Sequence, residues 1–219
     1  TATGDPRYLD AARKTADLLW RVHRRKGGGL YRVSNAGKPL ETGVLDDYGH
    51  LASGLLRLHE ASGDLVALAR TRTLIHEAEA RFARPGGGWF LAEDTDASLI
   101  LRPFEPFDAV RPSGQSALLD AMLRMAALTG DEALFDKVTK TLDAYASLSG
   151  RAGLGMAGWQ EVALHNLGPY YEVIIAGDPD EKTTKRLDAA YKALAPPWAV
   201  RVDVPAAGAP EALQKALPP

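Results

Sequence analysis

The chain has 219 residues, 46% of them hydrophobic and 25% charged, with a net charge of −2. This is the balance of a globular protein, and it carries no electrostatic footprint for nucleic acid or an anionic membrane surface. There is no cysteine, which excludes disulfides, thiolate metal sites and a cysteine nucleophile and fits the cytoplasm, and no apolar run approaches the ~20 residues of a membrane span.

Thr1-Ala2-Thr3-Gly4-Asp5-Pro6 reads as a corner between helices whose first helix is missing, so the chain is expected to be a piece of a longer protein. Asp5 suits an N-cap and Pro6 the first helical position. Leu9, Ala12, Ala16, Leu19 and Val22 or His23 mark the expected buried face of a helix to about residue 25. The basic run His23-Arg24-Arg25-Lys26 sits at the helix end, where cations suit the macrodipole. Gly27-Gly28-Gly29 ends the helix, Leu30 to Val33 reads as a short extended piece, and Asn35-Ala36-Gly37 as a turn.

The stretch from 41 to 64 sets the grammar of the chain. Asp46-Asp47-Tyr48 opens a helix whose apolar face is Leu45, Tyr48, Leu51, Leu55 and Leu58. Ser62-Gly63-Asp64 stops it, with Gly63 suited to the left-handed position. A second helix follows with Leu65, Leu68, Ile75, Ala78 and Phe82, ending at Pro85-Gly86-Gly87-Gly88 and Trp89-Phe90. Gly27 and Gly86 are 59 apart, as are Gly4 and Gly63. A repeat of one helical hairpin with such a period points to a stacked or circular helical array.

Residues 92 to 116 form the longest irregular segment, of the kind that is usually functional or mobile. A helix is expected from Gly114 to Leu128, then a Thr129-Gly130-Asp131 corner and a helix with Leu134, Val138, Leu142 and Tyr145. Met156, Trp159, Val162 and Ala163 indicate one more. The tail changes period: strands at Tyr171–Ala176 and Trp198–Val204 flank a helix opened by Gly177-Asp178-Pro179, a βαβ unit with parallel strands, and Glu211 to Leu217 reads as a last short helix.

Leu45-Asp46-Asp47-Tyr48, Ser62-Gly63-Asp64, the glycine turn with Trp89-Phe90, Ala92-Glu93-Asp94-Thr95-Asp96, Leu101 to Ser116 and Glu172 to Asp180 occur in an order that resembles the C-terminal half of the thioredoxin-domain-containing proteins related to the spermatogenesis-associated family. The resemblance implies an N-terminal thioredoxin-like domain followed by an (α/α)6 toroid of helical hairpins, similar to N-acylglucosamine 2-epimerases and six-hairpin glycosidases. The thioredoxin-like domain and the first hairpins are absent from this sequence. The family's proline-serine-glycine-asparagine is Pro112-Ser113-Gly114-Gln115 here, and its glycine after the loop aspartate is Ala109. The implied fold is mainly α: a partial (α/α) toroid of hairpins over 1–168, with a small C-terminal βαβ appendage over 169–219.

Such a toroid implies a carbohydrate-active site, hydrolytic or isomerising, at a mouth where inter-helix loops meet. Glycosidases need two carboxylates flanking the bond, and the candidates are Asp47, Glu93, Asp94 and Asp108, with Asp46 beside them. Tyr48, Trp89, Phe90, Phe104 and Phe107 offer stacking faces, and Arg102, Arg111, Ser113 and Gln115 offer hydrogen bonds to a saccharide. Each has a structural reading as well: Asp46 and Asp47 as helix-start acids, Glu93-Asp94 as a turn cap, Asp108 as an ion-pair partner of Arg102 or Arg111, Ser113 as an N-cap, and the aromatics as core. An epimerase would need a base such as histidine; His50, two residues from Tyr48, is expected on another helix side, and His59, His76 and His165 are read as structural. No metal site and no cofactor is expected, and Gly177 to Asp180 is read as a capped turn, not a phosphate site. The alternative function is a non-catalytic binding or scaffold module acting with a thioredoxin-like domain, with an apolar surface where the missing hairpins pack.

Overall fold

Asp5 accepts the amide of Arg7 and Pro6 fills the first turn, so helix α1 (Pro6–His23) begins where its capping residues place it. The computed structural model describes residues 5–94, 99–168, 171–178, 180–194 and 199–204. After α1 the three glycines Gly27, Gly28 and Gly29 all take positive φ, 87°, 97° and 90°, and turn the chain so that Leu30 bridges back to Arg24. Strand β1 (Tyr31–Asn35) then returns as β2 (Lys38–Thr42) through Ala36 and Gly37, both at positive φ, the two-residue loop that matches strand twist. The return strand lacks an apolar alternation, and most of the hairpin is exposed, which is why periodicity did not reveal it.

Helix α2 (Leu45–Ser62) ends at Gly63 in the left-handed region, and Asp64 caps α3 (Leu65–Phe82) by accepting the amides of Val66 and Ala67. The 59-residue repeat is geometric as well as textual. α1 and α3 are both 18 residues, each capped by an aspartate. The Arg24–Leu30 bridge recurs as Ala83–Trp89, and the Arg25 amide to Gly29 carbonyl bond recurs as Arg84 to Gly88, both 3.0 Å.

Ser113 caps α4 (Gly114–Thr129), and Gly130 closes it in the left-handed region. α5 (Glu132–Ala152), a 3₁₀ turn at Gly153–Met156 and α6 (Ala157–Leu167) follow. β3 (Tyr171–Ala176) and β4 (Ala199–Val204) pair in parallel around α7 (Lys182–Leu194), and β4 lies beside α4 and α2. The turn before α7 is capped by Asp178, whose carboxylate accepts the Asp180 amide at 2.8 Å, so the helix starts later than Gly177-Asp178-Pro179 implied. Pro179, Trp198 and the segment Glu211 to Leu217 lie outside the described residues.

α2, α4 and α6 form one row, backed by α1, α3 and α5. α4 is the centre of it: apart from Asp120, every residue from Gly114 to Ala126 is buried. α2 and α4 touch backbone to backbone, because a Cβ on Gly49 would collide with the Gly114 carbonyl oxygen. The edge of the row is different. α1 buries only Ala16, not the whole stripe its spacing implied; Leu9 is half-buried, and Ala12 and Leu19 line an open cavity. The basic run after α1 also does more than face a helix dipole: Arg24 pairs with Glu77 at 2.7 Å and Arg25 with Glu93 at 2.9 Å.

Candidate functional site

A cavity of about 690 Å³ lies between α1, β1 and the outer side of α2. Its long apolar part is lined by Ala12, Ala16, Leu19, Leu51, Leu55 and Leu58, and its polar pole by His23, Arg32, Asp46, Asp47, His50 and Arg111. The pole is built by the start of α2. Val44 has no capping side chain, so the Asp47 carboxylate reaches back to accept its amide at 2.8 Å. Burial, only partly offset by that bond and by Arg32, raises the Asp47 pKa above the ordinary aspartate value. Asp46 ties three segments together: it accepts from Arg111 at 2.9 Å and from the Gly114 amide at 3.1 Å.

His50 was expected on another side of α2, counting from Tyr48. It lies four residues after Asp46 and three after Asp47, spacings that share a helix face, and it lines the same pole. Counting from the acids instead of the aromatic would have found it. Its Nε2 is buried and has no hydrogen-bond partner among the described residues. His23 at the rim is held by the Tyr31 carbonyl, 3.0 Å from its Nδ1.

The other three candidate carboxylates do not line this cavity. Glu93 is 5% exposed and receives Arg25 at 2.9 Å and Arg81 at 3.3 Å. Asp94 is 84% exposed at the side chain and 3.6 Å from Arg102. Asp108 accepts the Ser113 amide at 2.7 Å, the Ser116 hydroxyl at 3.0 Å and the Gly158 amide at 2.7 Å. It clamps the 99–113 loop to the starts of α4 and α6; its expected arginine partners go elsewhere, Arg111 to Asp46 and Arg102 to carbonyls. Of the four carboxylates only Asp47 lines this cavity; Glu93, Asp94 and Asp108 are engaged by arginines, a hydroxyl or backbone amides.

Most of the expected ligand contacts are likewise committed to the fold. Tyr48 is fully buried and its hydroxyl accepts the Leu30 amide at 2.9 Å. Trp89 is 1% exposed and donates to Glu79 at 2.7 Å. Gln115, also fully buried, accepts the Trp89 amide and donates to the Glu105 carbonyl. Arg102 donates to the carbonyls of Ala92 and Arg81 and stacks 4.3 Å from the Phe90 ring, while Arg84 covers Phe104. Ser113 is an N-cap. Phe107, 45% exposed, lies away from the cavity lining. Of the expected set, Asp46, Asp47 and Arg111 are the residues that line this cavity.

Over 162 residues, 73% of its length, the chain is 31% identical to spermatogenesis-associated protein 20 of Mus musculus. The proteins of that name from Rattus norvegicus and Homo sapiens are each 30% identical over the same length. The chain is a homologue of spermatogenesis-associated protein 20. It spans about 20% of the length of these relatives. No protein-family model matches the chain.

Chemically, the pole offers a carboxyl that protonates more readily than usual, an imidazole and a guanidinium within one cavity. The other histidines serve elsewhere: the His59 ring meets the Asp64 carbonyl at 3.0 Å, His76 is exposed, and burial together with Arg124 lowers the pKa of His165. Among the described residues no group of three or more His, Asp or Glu is placed to hold a metal ion, and no helix is long and apolar enough to cross a membrane.

Proposed function

We propose that the chain is a section of an (α/α) hairpin toroid, residues 1–168, with a βαβ appendage at 169–219, within a larger cytoplasmic protein that also holds a thioredoxin-like domain. Its polar pole binds a small hydroxylated ligand of saccharide type. The observation that carries this reading is the joint presence of Asp47, with its raised pKa, and His50 on one wall of the cavity. Asp46 holds Arg111 at the rim, where a guanidinium can meet ring hydroxyls or a carboxylate. A carboxyl and an imidazole suit reversible proton transfer beside a carbonyl, an isomerising step, better than glycoside cleavage, which needs two opposed carboxylates. The binding-module alternative is favoured by one observation: Glu93 and Asp108 are consumed by structural bonds.

Calorimetric titration of the longer protein with a panel of aldoses, ketoses and 2-acetamido sugars tests the reading. Binding of at least one of them, weakened about tenfold or more in Asp47→Asn at a melting temperature no lower than the parent's, supports it. Absence of binding across the panel, or binding indifferent to Asp47→Asn, removes the site; binding without interconversion of the sugar leaves the non-catalytic module.

A further inference from the structure

α2 and α4 are equivalent elements. Aligning the corners Ser62-Gly63-Asp64 and Thr129-Gly130-Asp131 sets Leu51, Gly54 and Arg57 of α2 on Leu118, Ala121 and Arg124 of α4. The α4 set is 0%, 0% and 3% exposed. α2 runs along that helix, with Gly49 against Gly114 and Leu118, and Glu60 on Arg124 at 3.3 Å. The α2 set is open: Leu51 is half-buried, and Gly54 and Arg57 are exposed. The cavity runs along this side of the helix.

The 59-residue step points the same way. α1 is the counterpart of α3, capped by Asp5 as α3 is by Asp64. α3 is preceded by α2, which enters through Ser62-Gly63-Asp64 and fills the angle between α3 and α4. Before α1 the sequence reads Thr3-Gly4-Asp5, the same three-residue pattern as Ser62-Gly63-Asp64 and Thr129-Gly130-Asp131. The angle between α1 and α2 is the cavity.

We infer that this cavity is the seat of an amphipathic helix supplied by the polypeptide immediately preceding residue 1 in the longer protein, packed on α2 as α2 packs on α4. The surface suits a close helix contact. Ala12, Ala16 and Gly54 are small, as Gly49 and Gly114 are at the α2–α4 contact, and Leu19, Leu51 and Leu55 supply the apolar ridges. Relatives of which the 162 matched residues make up only 20% provide the chain from which such a helix comes. An 18-residue helix like α2 is about 27 Å long, the length of the helix it would lie against. The same alignment sets Asp47 and His50 on Gly114 and Ala117 of α4, so the start of the helix lies beside the polar pole as Asp46 lies beside Gly114. The inference stands whether or not the pole binds a sugar.

The test compares the 219-residue chain with the longer protein. A Cβ at Gly54 meets nothing within 4 Å in the chain alone. Gly54→Trp should therefore leave the melting temperature of the chain unchanged or raised, and lower that of the longer protein by about 5 °C or more. Hydrogen exchange of the unsubstituted proteins should show the amides of α1 and of residues 51 to 58 exchanging at least about tenfold more slowly in the longer protein. Equal responses to Gly54→Trp with equal exchange overturn the inference. So does a chain that dimerises in light scattering and gains the same protection as its concentration rises, because a second copy would then be the occupant.

Discussion

Tyr48 and Gln115, 67 residues apart, do the same job: the Tyr48 hydroxyl takes the Leu30 amide at 2.9 Å, and Gln115 Oε1 takes the Trp89 amide at 3.2 Å. Leu30 and Trp89 each follow a glycine triplet, and both acceptors are fully buried. A phenol and a carboxamide share little except an oxygen at that reach, so the repeat preserves an acceptor and not a residue type. Burial pushes the Tyr48 hydroxyl up to about 12, which keeps it neutral at the end of the glycine turn.

Removing either acceptor strands a buried amide. Tyr48→Phe and Gln115→Leu should each lower stability by about 1–3 kcal/mol. Urea unfolding followed by circular dichroism measures it, and midpoints equal to the parent's would show that water or a neighbour takes over the amide.

The glycine turns separate two costs. Gly86 and Gly88 both have positive φ, 86° and 70°, but a Cβ at Gly86 meets nothing within 4 Å, whereas one at Gly88 lies 2.8 Å from Gln115 Oε1 and 3.2 Å from Phe104. Gly86→Ala should cost about 1 kcal/mol from backbone conformation, and Gly88→Ala at least about 2 kcal/mol from conformation and crowding together. Thermal unfolding of the two variants side by side checks the order; equal losses would mean Gln115 moves aside freely.

Asp108 and Asp94 are both acids of the long loop with opposite expectations. Asp108→Ala removes three accepted bonds and should destabilise by about 3 kcal/mol while opening the 99–113 loop to proteolysis. Asp94→Ala, at an exposed side chain, should stay within about 0.5 kcal/mol of the parent. Limited trypsin digestion with a melting scan reads both, and an Asp108→Ala protein as resistant as the parent would contradict the clamp.

Asp47 gives a pH signature. Its folded pKa is raised, burial being the main cause, so the native state holds the proton to higher pH than the unfolded chain. Stability from this group therefore falls as pH rises from about 4, the unfolded value, through the raised folded value, and is flat above it. Asp47→Asn lacks that fall. The melting temperature of the variant minus that of the parent should increase across this window, and a difference independent of pH would show that the carboxyl is not desolvated in solution.

Much of the helical architecture was legible because its signals are local. Asp5, Asp64, Ser113 and Asp131 cap helices within three residues of themselves, and Gly63 and Gly130 terminate them, so element starts and the 59-residue repeat could be read directly. The homology to spermatogenesis-associated protein 20 was legible for a related reason, as short motifs in fixed order. The return strand Lys38–Thr42 was not, because an exposed strand has no apolar alternation to betray it.

By itself the sequence determined where helices begin and end, that a hairpin recurs, and which residues carry charge or aromatic faces, because capping and periodicity act over a few residues. Only the tertiary structure decided what those side chains are used for. Glu93 and Asp108 look like Asp47 as letters, but arginines 68 and 12 residues away claim the first, and a helix start 50 residues on claims part of the second. Asp47 instead shares a cavity wall with His50 beside α1. Whether an acid fastens distant segments or lines a cavity depends on which donors the fold brings to it from elsewhere in the chain, and no local pattern holds that information.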